Sequence, residues 1–316
     1  MPHTIYPAAA APQLITIGET MMMLTPENAG PLRTARQLSL HPGGAESNVA
    51  SHAARLGVRA AWVSVLGDDV LGHRILHDIA GHGVDTRWVT CDPAAPTGVY
   101  FKDPGQGVLY YRRGSAAAGM GPATVASVPL EDAAIVHLSG ITPALSANCA
   151  ALVGSVATRV AASAAALSFD VNHRPPLWPD GVAAPALHAL ANRADITFVG
   201  LDEAGALWGC TTPEEVRTLL PGPGRLIVKD GDVGATEFGA GPAVFEPAIP
   251  TNVVEAVGAG DAFAAGYLAA AIQGGGTRER LRAGHARAHL VLLSTSDFVA
   301  TPTDPDPRAV DAATTV

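Results

Sequence analysis

The sequence is short of lysine and has no excess of positive charge, and each shortage excludes a class of function. Lys102 and Lys229 are the only lysines among its 20 basic side chains. Neither stands between Gly and Ser or Thr, so the chain has no Gly-Lys-Ser/Thr phosphate-binding loop. The 29 acidic residues give a net charge of −9, without the basic footprint of a nucleic-acid-binding protein. We therefore expect no nucleic-acid partner.

Cysteine is scarce, and no long apolar segment is present. Cys91, Cys149 and Cys210 lie about sixty residues apart without a Cys-x-x-Cys pair, which fits neither a disulfide framework nor a zinc site. The uncharged runs 138–158 and 262–277 are interrupted by polar residues or are too short for the ~20 apolar residues of a membrane span. No signal peptide is evident at the N-terminus. We expect a cytoplasmic protein with no membrane partner.

Apolar runs alternate with helical patterns along most of the chain. This spacing of strands and helices predicts βαβ units around a mainly parallel sheet, an α/β fold. Residues 13–300 are predicted to form one domain, and the Pro/Ala/Thr-rich segments 1–12 and 301–316 are predicted to be flexible tails. The predicted strands are 14–18, 60–66, 84–90, 134–138, 166–170, 195–199 and 225–229, and the predicted helices include 46–56, 70–80 and 261–272.

Two stretches in the N-terminal third break this alternation. Residues 20–42 lack a strong helical pattern, and 97–113 contain two apolar strands around a Gly-containing turn at 103–107. Such a pattern is typical of a β-hairpin. We expect both stretches to form a small β-sheet lid beside the main sheet.

The segment Gly258-Ala259-Gly260-Asp261 opens an Ala-rich helix that runs to about Ile272. Amide N–H groups at a helix N-terminus form an anion site, which suits a phosphoryl group in transfer. Asp261, on the first turn, could accept a proton from a substrate hydroxyl. From the residues alone, a Gly turn with a helix-capping Asp is an equally good interpretation.

A second Gly pair, Gly43-Gly44, opens another helix and places Asn48 on its first turns. Backbone amides and one side-chain carboxamide could there bind a polyol. Taken alone, the segment is better explained as an ordinary turn, a helix and a Gly stop at Gly57.

Together, the two segments resemble the two signatures of the ribokinase-like carbohydrate kinases, the PfkB family. The resemblance implies a three-layer α/β/α fold with a small β-sheet lid, and phosphorylation of a sugar hydroxyl by ATP with Mg²⁺. Its matches occur in the family's order over about residues 14–300. They are Gly43, Gly44, Asn48, Ala50, Leu56 and Gly57 in the first signature, Gly258, Ala259, Gly260 and Asp261 in the second, and Gly67, Asp69 and Gly72 between them.

By this resemblance Asp261 is the general base, and the amides of 258–260 hold the negative charge of the transferred phosphoryl group. Two positions depart from the family pattern. Glu255 replaces the Asp that precedes the Gly-Ala-Gly-Asp motif, and is a candidate ligand for Mg²⁺-bound water or a monovalent cation such as K⁺. Gly200 replaces an Asn, so that only Glu203 is left to organise Mg²⁺ waters. A structural first-turn carboxylate is an equally open interpretation of Glu203.

A strand followed by a Gly-rich turn, with Lys229, Gly231 and Gly234, is expected to approach nucleotide phosphate or ribose. For Lys229 a structural role is about as well supported. His285 and Ala288, in the helix after the glycines at 274–276, are predicted to border the adenine ring.

Substrate choice is predicted from the lid and from a loop that follows a buried strand. Tyr110 and Arg112 share one face of a lid strand, and Arg174 follows the strand at 166–170. Two converging guanidinium groups suit a carboxylate, although for the arginines taken alone, ion pairs with surface acids are the better explanation. The segments around these residues resemble those of 2-keto-3-deoxygluconate kinases, which adds Asp297 as a substrate contact.

The expected activity is therefore ATP-dependent phosphorylation of a sugar acid at a primary hydroxyl. Two alternatives stay open: a kinase of a neutral sugar such as fructose or ribose, and a catalytically weak sensor that binds sugar or nucleotide. Because related kinases pair through an exposed lid sheet, and because an open sheet edge needs covering, we also expect a homo-oligomer.

Overall fold

The computed structural model describes residues 11–28, 30–294 and 298. Their strands are β1 Leu14–Ile17, β2 Met21–Pro26, β3 Leu38–Gly43, β4 Ala60–Gly67, β5 Val89–Asp92, β6 Val99–Asp103, β7 Gly107–Tyr111, β8 Ile135–Ser139, β9 Ala166–Asp170, β10 Ile196–Gly200, β11 Arg225–Asp230, β12 Gly234–Phe238 and β13 Val244–Pro247. Their α-helices are α1 Ala45–Arg55, α2 Val70–Gly81, α3 Thr142–Leu145, α4 Ala147–Ala161, α5 Ala183–Arg193, α6 Leu201–Trp208, α7 Pro213–Leu219, α8 Ala259–Ile272 and α9 Thr277–Leu292. None of these helices is both long and apolar enough to cross a bilayer.

The larger sheet has the strand order β13-β12-β11-β10-β9-β8-β1-β4-β5. In this order, the strands from β11 to β5 pair in parallel. At one edge of the sheet, β12 and β13 are added by antiparallel pairing. Central strands such as β8 and β10 are buried along their whole length, as expected for a sheet covered on both faces. The predicted mainly parallel sheet is confirmed.

Helices cover both faces of this sheet. One face packs against α1, α2, α8 and α9 through residues such as Val49, Ile79, Phe263 and Leu281. The other face packs against α4 to α7. The three-layer α/β/α arrangement therefore agrees with the expected fold class.

A separate small sheet has the order β3-β2-β6-β7 and is built from the two stretches that break the alternation. β2 pairs antiparallel with β3 and parallel with β6, and β6 and β7 form the hairpin expected from the turn at 103–107. Met21, Met23 and Tyr100 pack together on one face of this sheet. We call these four strands the small sheet.

The structure corrects some element bounds. The predicted strand 84–90 is reduced to one bridge between Asp85 and Ala61, and β5 begins only at Val89. A turn intervenes, closed by the Val89 N–H, which donates to the carbonyl of Thr86 at 2.9 Å. α8 begins at Ala259 rather than at Asp261, because Gly258 takes the N-cap position with φ +85°, a conformation that favours glycine. The antiparallel strands β12 and β13 were not predicted.

The contact between α8 and α9 offers a test of the packing. A Cβ added at Gly266 in α8 would overlap the backbone carbonyl of Ala283 in α9, whereas one added at Gly154 in α4 meets nothing within 4 Å. We expect Gly266→Ala to lower the free energy of unfolding by about 1–2 kcal/mol through overpacking. Gly154→Ala should raise it by up to about 1 kcal/mol through helix propensity. Urea unfolding of both variants measures this, and equal stability of the two would contradict the packing described.

Candidate active site

A cavity of about 660 Å³ lies at the carboxyl ends of β9, β10 and β11, where open α/β sheets bind ligands. Its walls come from those strand ends, from the N-terminus of α8 and from α9. The predicted site residues that line it are Arg174, Glu203, Lys229, Gly231, Gly234, Gly258, Ala259, Gly260, Asp261, His285 and Ala288. Those that do not line it are Gly43, Gly44, Asn48, Tyr110, Arg112 and Glu255. Asp297 lies outside the described residues.

The N-terminus of α8 faces this cavity. Gly258 turns the chain with φ +85°, and the Ala262 N–H then closes the first helical turn on the Gly258 carbonyl at 2.9 Å. The first turn of a helix leaves backbone N–H groups without intrahelical acceptors, and the helix dipole is positive there. This end of α8 can therefore stabilise an anion in the cavity.

Two carboxamides hold the Asp261 side chain. Asn48 Nδ2 donates to Asp261 Oδ2 at 2.9 Å, and Asn172 Nδ2 approaches Asp261 Oδ1 at 3.4 Å. Asn48 comes from α1, and Asn172 from the loop after β9. Hydrogen bonds of this kind orient a carboxylate and favour its ionised form, as a general base requires.

Lys229 lies at the end of β11 beside the Gly-Ala-Gly-Asp turn. Its Nζ donates to Asp170 Oδ2 at 2.9 Å, and lies 3.5 Å from where a Cβ on Gly260 would stand. Burial alone would lower the pKa of the Lys229 ammonium, but the carboxylates of Asp170 and Glu203 raise it above its ordinary value. Lys229 is therefore a cation at neutral pH, placed next to the anion site.

Glu203 lies on the first turn of α6. Its Oε2 accepts the Gly200 N–H and its Oε1 accepts the His173 N–H, both at 2.8 Å. Burial raises the pKa of this carboxyl, and the charge of Lys229 opposes that effect. Both carboxylate oxygens thus accept backbone N–H groups, which favours the structural interpretation of Glu203. Its role towards Mg²⁺ waters stays a prediction.

Glu255 precedes the Gly-Ala-Gly-Asp turn and holds that loop. Its Oε1 accepts the N–H groups of Ala256 and Val257 at 2.9 and 3.2 Å, and its Oε2 is 3.8 Å from Lys102 Nζ in β6. Within the described ranges, no group of three or more His, Cys, Asp or Glu side chains is placed to hold a metal ion. The cation role expected of Glu255 stays a prediction.

The Gly43-Gly44 turn is shaped by close packing. A Cβ on Gly43 would overlap the Tyr100 hydroxyl, and one on Gly44 would overlap the Glu19 carbonyl. Because these two residues have no side chains, the start of α1 can pack closely on the small sheet and on the chain that follows β1. It thereby places Asn48 at Asp261.

The two arginines expected to bind a carboxylate have different surroundings. Arg112 Nε lies 3.2 Å from Glu19 Oε2, and the guanidinium lies over the Tyr110 ring at 4.7 Å from its centroid. Glu19 is 3 % exposed, and burial raises the pKa of its carboxyl, although Arg112 opposes this. Arg174 is exposed, lines the cavity and donates to the adjacent His173 carbonyl at 3.2 Å. Of the two, only Arg174 lies in the cavity wall.

His285 and Ala288 lie in α9 at the cavity wall, together with the Gly231–Gly234 turn. The His285 Nε2 is 3.1 Å from the Glu246 carbonyl oxygen, and burial lowers the pKa of the imidazole. A neutral ring in a largely apolar wall suits a flat, uncharged ligand group. The adenine contact is still a prediction.

Asn172 and Asp170 are site residues that the sequence analysis missed. Both belong to the Phe169–Arg174 segment, from which only Arg174 was chosen. Polar residues directly after a buried parallel strand were the available signal, because such strand ends converge on the ligand crevice.

Comparison with known proteins now identifies the family. The model of the pfkB family carbohydrate kinases matches residues 11–304. The chain belongs to this family.

Relatives and solved structures of this pfkB-family kinase agree with that assignment. A 2-dehydro-3-deoxygluconokinase of Thermoproteus tenax is 35 % identical and covers 94 % of this chain and 93 % of its own. Fructokinase-2 of Oryza sativa subsp. japonica is 33 % identical over 83 % and 80 % of the two chains. The structure of a ribokinase II candidate from E. coli, in complex with ATP and Mg²⁺, aligns with a TM-score of 0.84 at 26 % identity, over 90 % of this chain and 94 % of that one.

The Lys229–Asp170 pair gives a testable consequence for stability. Asp170 is 2 % exposed, so Lys229→Met leaves a buried carboxylate without its cation. We expect the free energy of unfolding at pH 7.5 to fall by roughly 3 kcal/mol, the usual effect of removing one partner of a buried ion pair. Adding Asp170→Asn should restore much of the loss, since the remaining charge is removed. Urea unfolding of the single and double variants measures both effects, and an unchanged single variant would show that the pair does not stabilise the fold.

Proposed function

We propose that this pfkB-family kinase transfers the γ-phosphoryl group of ATP to a primary hydroxyl of a sugar acid, with 2-keto-3-deoxygluconate as its substrate. The observation that carries the proposal is Asp261, held by two carboxamides at the N-terminus of α8 and facing a cavity that also contains Lys229. This combination supplies a base beside an anion site.

The cavity suits ATP in chemistry and size. Lys229 and the α8 N-terminus offer positive charge for the phosphates, and the wall near His285 and Ala288 is apolar enough for a base. Asp170, Glu203 and Asp261 all act electrostatically on the Lys229 ammonium, but they are not grouped to chelate a metal ion by themselves. Mg²⁺ would therefore be held by the ATP phosphates and its own waters, with Glu203 as the proposed acceptor for those waters. Bound Mg²⁺ would neutralise phosphate charge. A monovalent cation near Glu255 is a further proposal, supported by the family resemblance.

In the proposed mechanism Asp261 accepts the proton of the substrate's primary hydroxyl. The hydroxyl oxygen then forms a bond to the γ-phosphorus while the bond from that phosphorus to the bridging oxygen breaks, which leaves ADP. Backbone amides of residues 258–260 and Lys229 stabilise the charge on the transferred group. Asn48 keeps the receiving carboxylate oriented.

A sugar acid is supported by Arg174 in the cavity wall and by the activity named for the Thermoproteus tenax relative. A guanidinium binds a carboxylate in bidentate fashion. Tyr110, Arg112 and Asp297 are proposed as further substrate contacts.

A neutral sugar is the second candidate. The Arg112–Glu19 pair favours it, because the Nε of that arginine is already matched by an internal carboxylate. The similarity to a plant fructokinase points the same way.

We also propose a cytoplasmic homo-oligomer that pairs through the small sheet. Leu109, Tyr110 and Tyr111 on β7 are all more than 40 % exposed, and β7 is an edge strand of that sheet. The free thiols of Cys91, Cys149 and Cys210 suit a reducing compartment. Sedimentation of the wild type and of Tyr111→Lys would test the pairing.

Removing the base tests the mechanism. We expect Asp261→Asn to lower kcat by ~10²–10⁴-fold with little change in KM, because an amide cannot accept the proton. The matched control is Asp132→Asn, an exposed carboxylate that does not line the cavity, which should keep wild-type turnover. ADP release in the presence of sugar and Mg²⁺ measures both. An Asp261→Asn enzyme with most of its kcat would refute the assignment of the base.

Substrate class is tested with a panel of 2-keto-3-deoxygluconate, gluconate, fructose, ribose and adenosine. We expect turnover of the keto acid, and Arg174→Ala should raise its KM by about 10–100-fold because a charged hydrogen bond is lost. Arg113→Ala, an exposed arginine outside the cavity wall, is the control. Turnover of fructose or ribose alone would replace the sugar acid by the second candidate. An unchanged KM in Arg174→Ala would remove this residue from the carboxylate site.

A further inference from the structure

Asn172 has an unusual backbone conformation next to the proposed base. Its φ is +35°, and among the described residues it is the only one besides glycines with a positive φ. Asparagine tolerates this region better than most residues, but a glycine would adopt it with less strain. The residue is 6 % exposed and lines the cavity. A strained, buried polar residue at a ligand cavity suggests a function.

The backbone N–H and the side-chain Nδ2 of Asn172 both face carboxylates. Its backbone N–H donates to Asp170 Oδ1 at 3.2 Å, and its Nδ2 approaches Asp261 Oδ1 at 3.4 Å. Because an ionised carboxylate only accepts hydrogen bonds, the NH₂ group must be the side that faces Asp261. The Oδ1 atom is then directed elsewhere.

That Oδ1 atom is buried and accepts no hydrogen bond from the described part of the chain. The ammonium of Lys229 donates to Asp170 Oδ2 rather than to this oxygen. A buried acceptor without a donor is unfavourable, and such exceptions need an explanation. A ligand that brings an O–H group into the cavity would satisfy it.

We propose that Asn172 is part of the acceptor-sugar site, where its Nδ2 orients Asp261 and its Oδ1 accepts a hydrogen bond from a sugar hydroxyl. The inference rests on the proposed phosphoryl transfer to a sugar. The reacting hydroxyl gives its proton to Asp261, so the hydroxyl that donates to Oδ1 is its neighbour on the sugar chain. Asn172 thereby selects acceptors that carry vicinal hydroxyls.

Two substitutions separate the two roles. Asn172→Gly removes the carboxamide and relieves the backbone, so that its stability in urea should equal or exceed that of the wild type. Asn172→Asp keeps an acceptor oxygen but places a second carboxylate against Asp261. We expect Asn172→Gly to lower kcat by about tenfold or more with an unchanged KM for ATP, because the base loses its orientation.

The pH profile distinguishes orientation of the base from a structural role. In Asn172→Asp the like charge raises the pKa of the carboxylate pair, so the acidic limb of kcat/KM should move to higher pH. In Asn172→Gly the limb should move in the same direction, since a hydrogen bond that favours the ionised base is lost. If both variants kept the pH profile and the turnover of the wild type, the proposal that Asn172 orients the base would be overturned.

A deoxy substrate tests the hydroxyl contact. For 2-keto-3-deoxygluconate the neighbour of the primary hydroxyl is the C5 hydroxyl, and the probe is the analogue that lacks it. The wild type should lose about tenfold or more in kcat/KM with this analogue, whereas Asn172→Gly should show almost no further loss. Equal losses in the two enzymes would show that Oδ1 binds water or another group, and would overturn the contact.

Failure of the proposed substrate is separable from failure of this inference. If the wild type phosphorylates fructose or ribose instead, the sugar-acid proposal fails. The same comparison is then made with that sugar and its analogue deoxygenated beside the phosphorylated carbon. Coupling between Asn172 and the missing hydroxyl supports the inference with either acceptor, and its absence overturns it.

Discussion

The hydrogen bond between Asn48 and Asp261 joins residues 213 positions apart, and much of the molecule is arranged to make it possible. It requires the N-termini of α1 and α8 to meet on the same face of the central sheet, where both helices bury apolar residues in one cluster. Gly44 admits α1 against the Glu19 carbonyl, and Gly258 supplies the left-handed turn that begins α8. The two glycine motifs are thus two sides of one contact.

Lys229 is the lysine that lines the cavity, and several acidic side chains line it as well. Asp170, Glu203 and Asp261 all raise the pKa of the Lys229 ammonium, so three carboxyl groups lie within electrostatic reach of this lysine. A polyphosphate that carries a divalent ion suits these surroundings better than a bare one, because the ion neutralises part of its charge. In the proposed mechanism the positive end of α8 stabilises phosphate charge beside Asp261. By this proposal, a chain without a phosphate-loop lysine still binds and transfers a phosphoryl group.

The sequence predicted those parts of the molecule that depend on local pattern. Buried strands such as 166–170 and the helix that follows Gly44 were recognised because apolar spacing and glycine positions act within a few residues. The partners of Glu255, Arg112 and Glu203 could not be predicted, since Lys102, Glu19 and the His173 N–H are distant in the chain. Asn172 was overlooked although it follows a buried strand, because its contact with Asp261, 89 positions away, cannot be read from the sequence. Composition also gave no sign that Glu19 would be buried beside an arginine.

Arg112 has a structural partner, and it is also proposed as a substrate contact. Its contacts with Glu19 and with the Met21 sulfur use Nε, at 3.2 and 3.4 Å. A guanidinium has five N–H donors in a planar fork, so the two terminal groups can bind a carboxylate end-on while Nε stays paired. For a sugar acid, Glu19 would orient the fork beside Tyr110, whereas for a neutral sugar the Arg112–Glu19 pair would be structural only. Lys102, on the same small sheet, lies near Glu255 of the Gly-Ala-Gly-Asp loop. Basic side chains thus connect this part of the molecule to Glu19 and to the loop that precedes α8. If the proposed mechanism holds, a movement of the small sheet would act on the proposed anion site through Lys102 and Glu255.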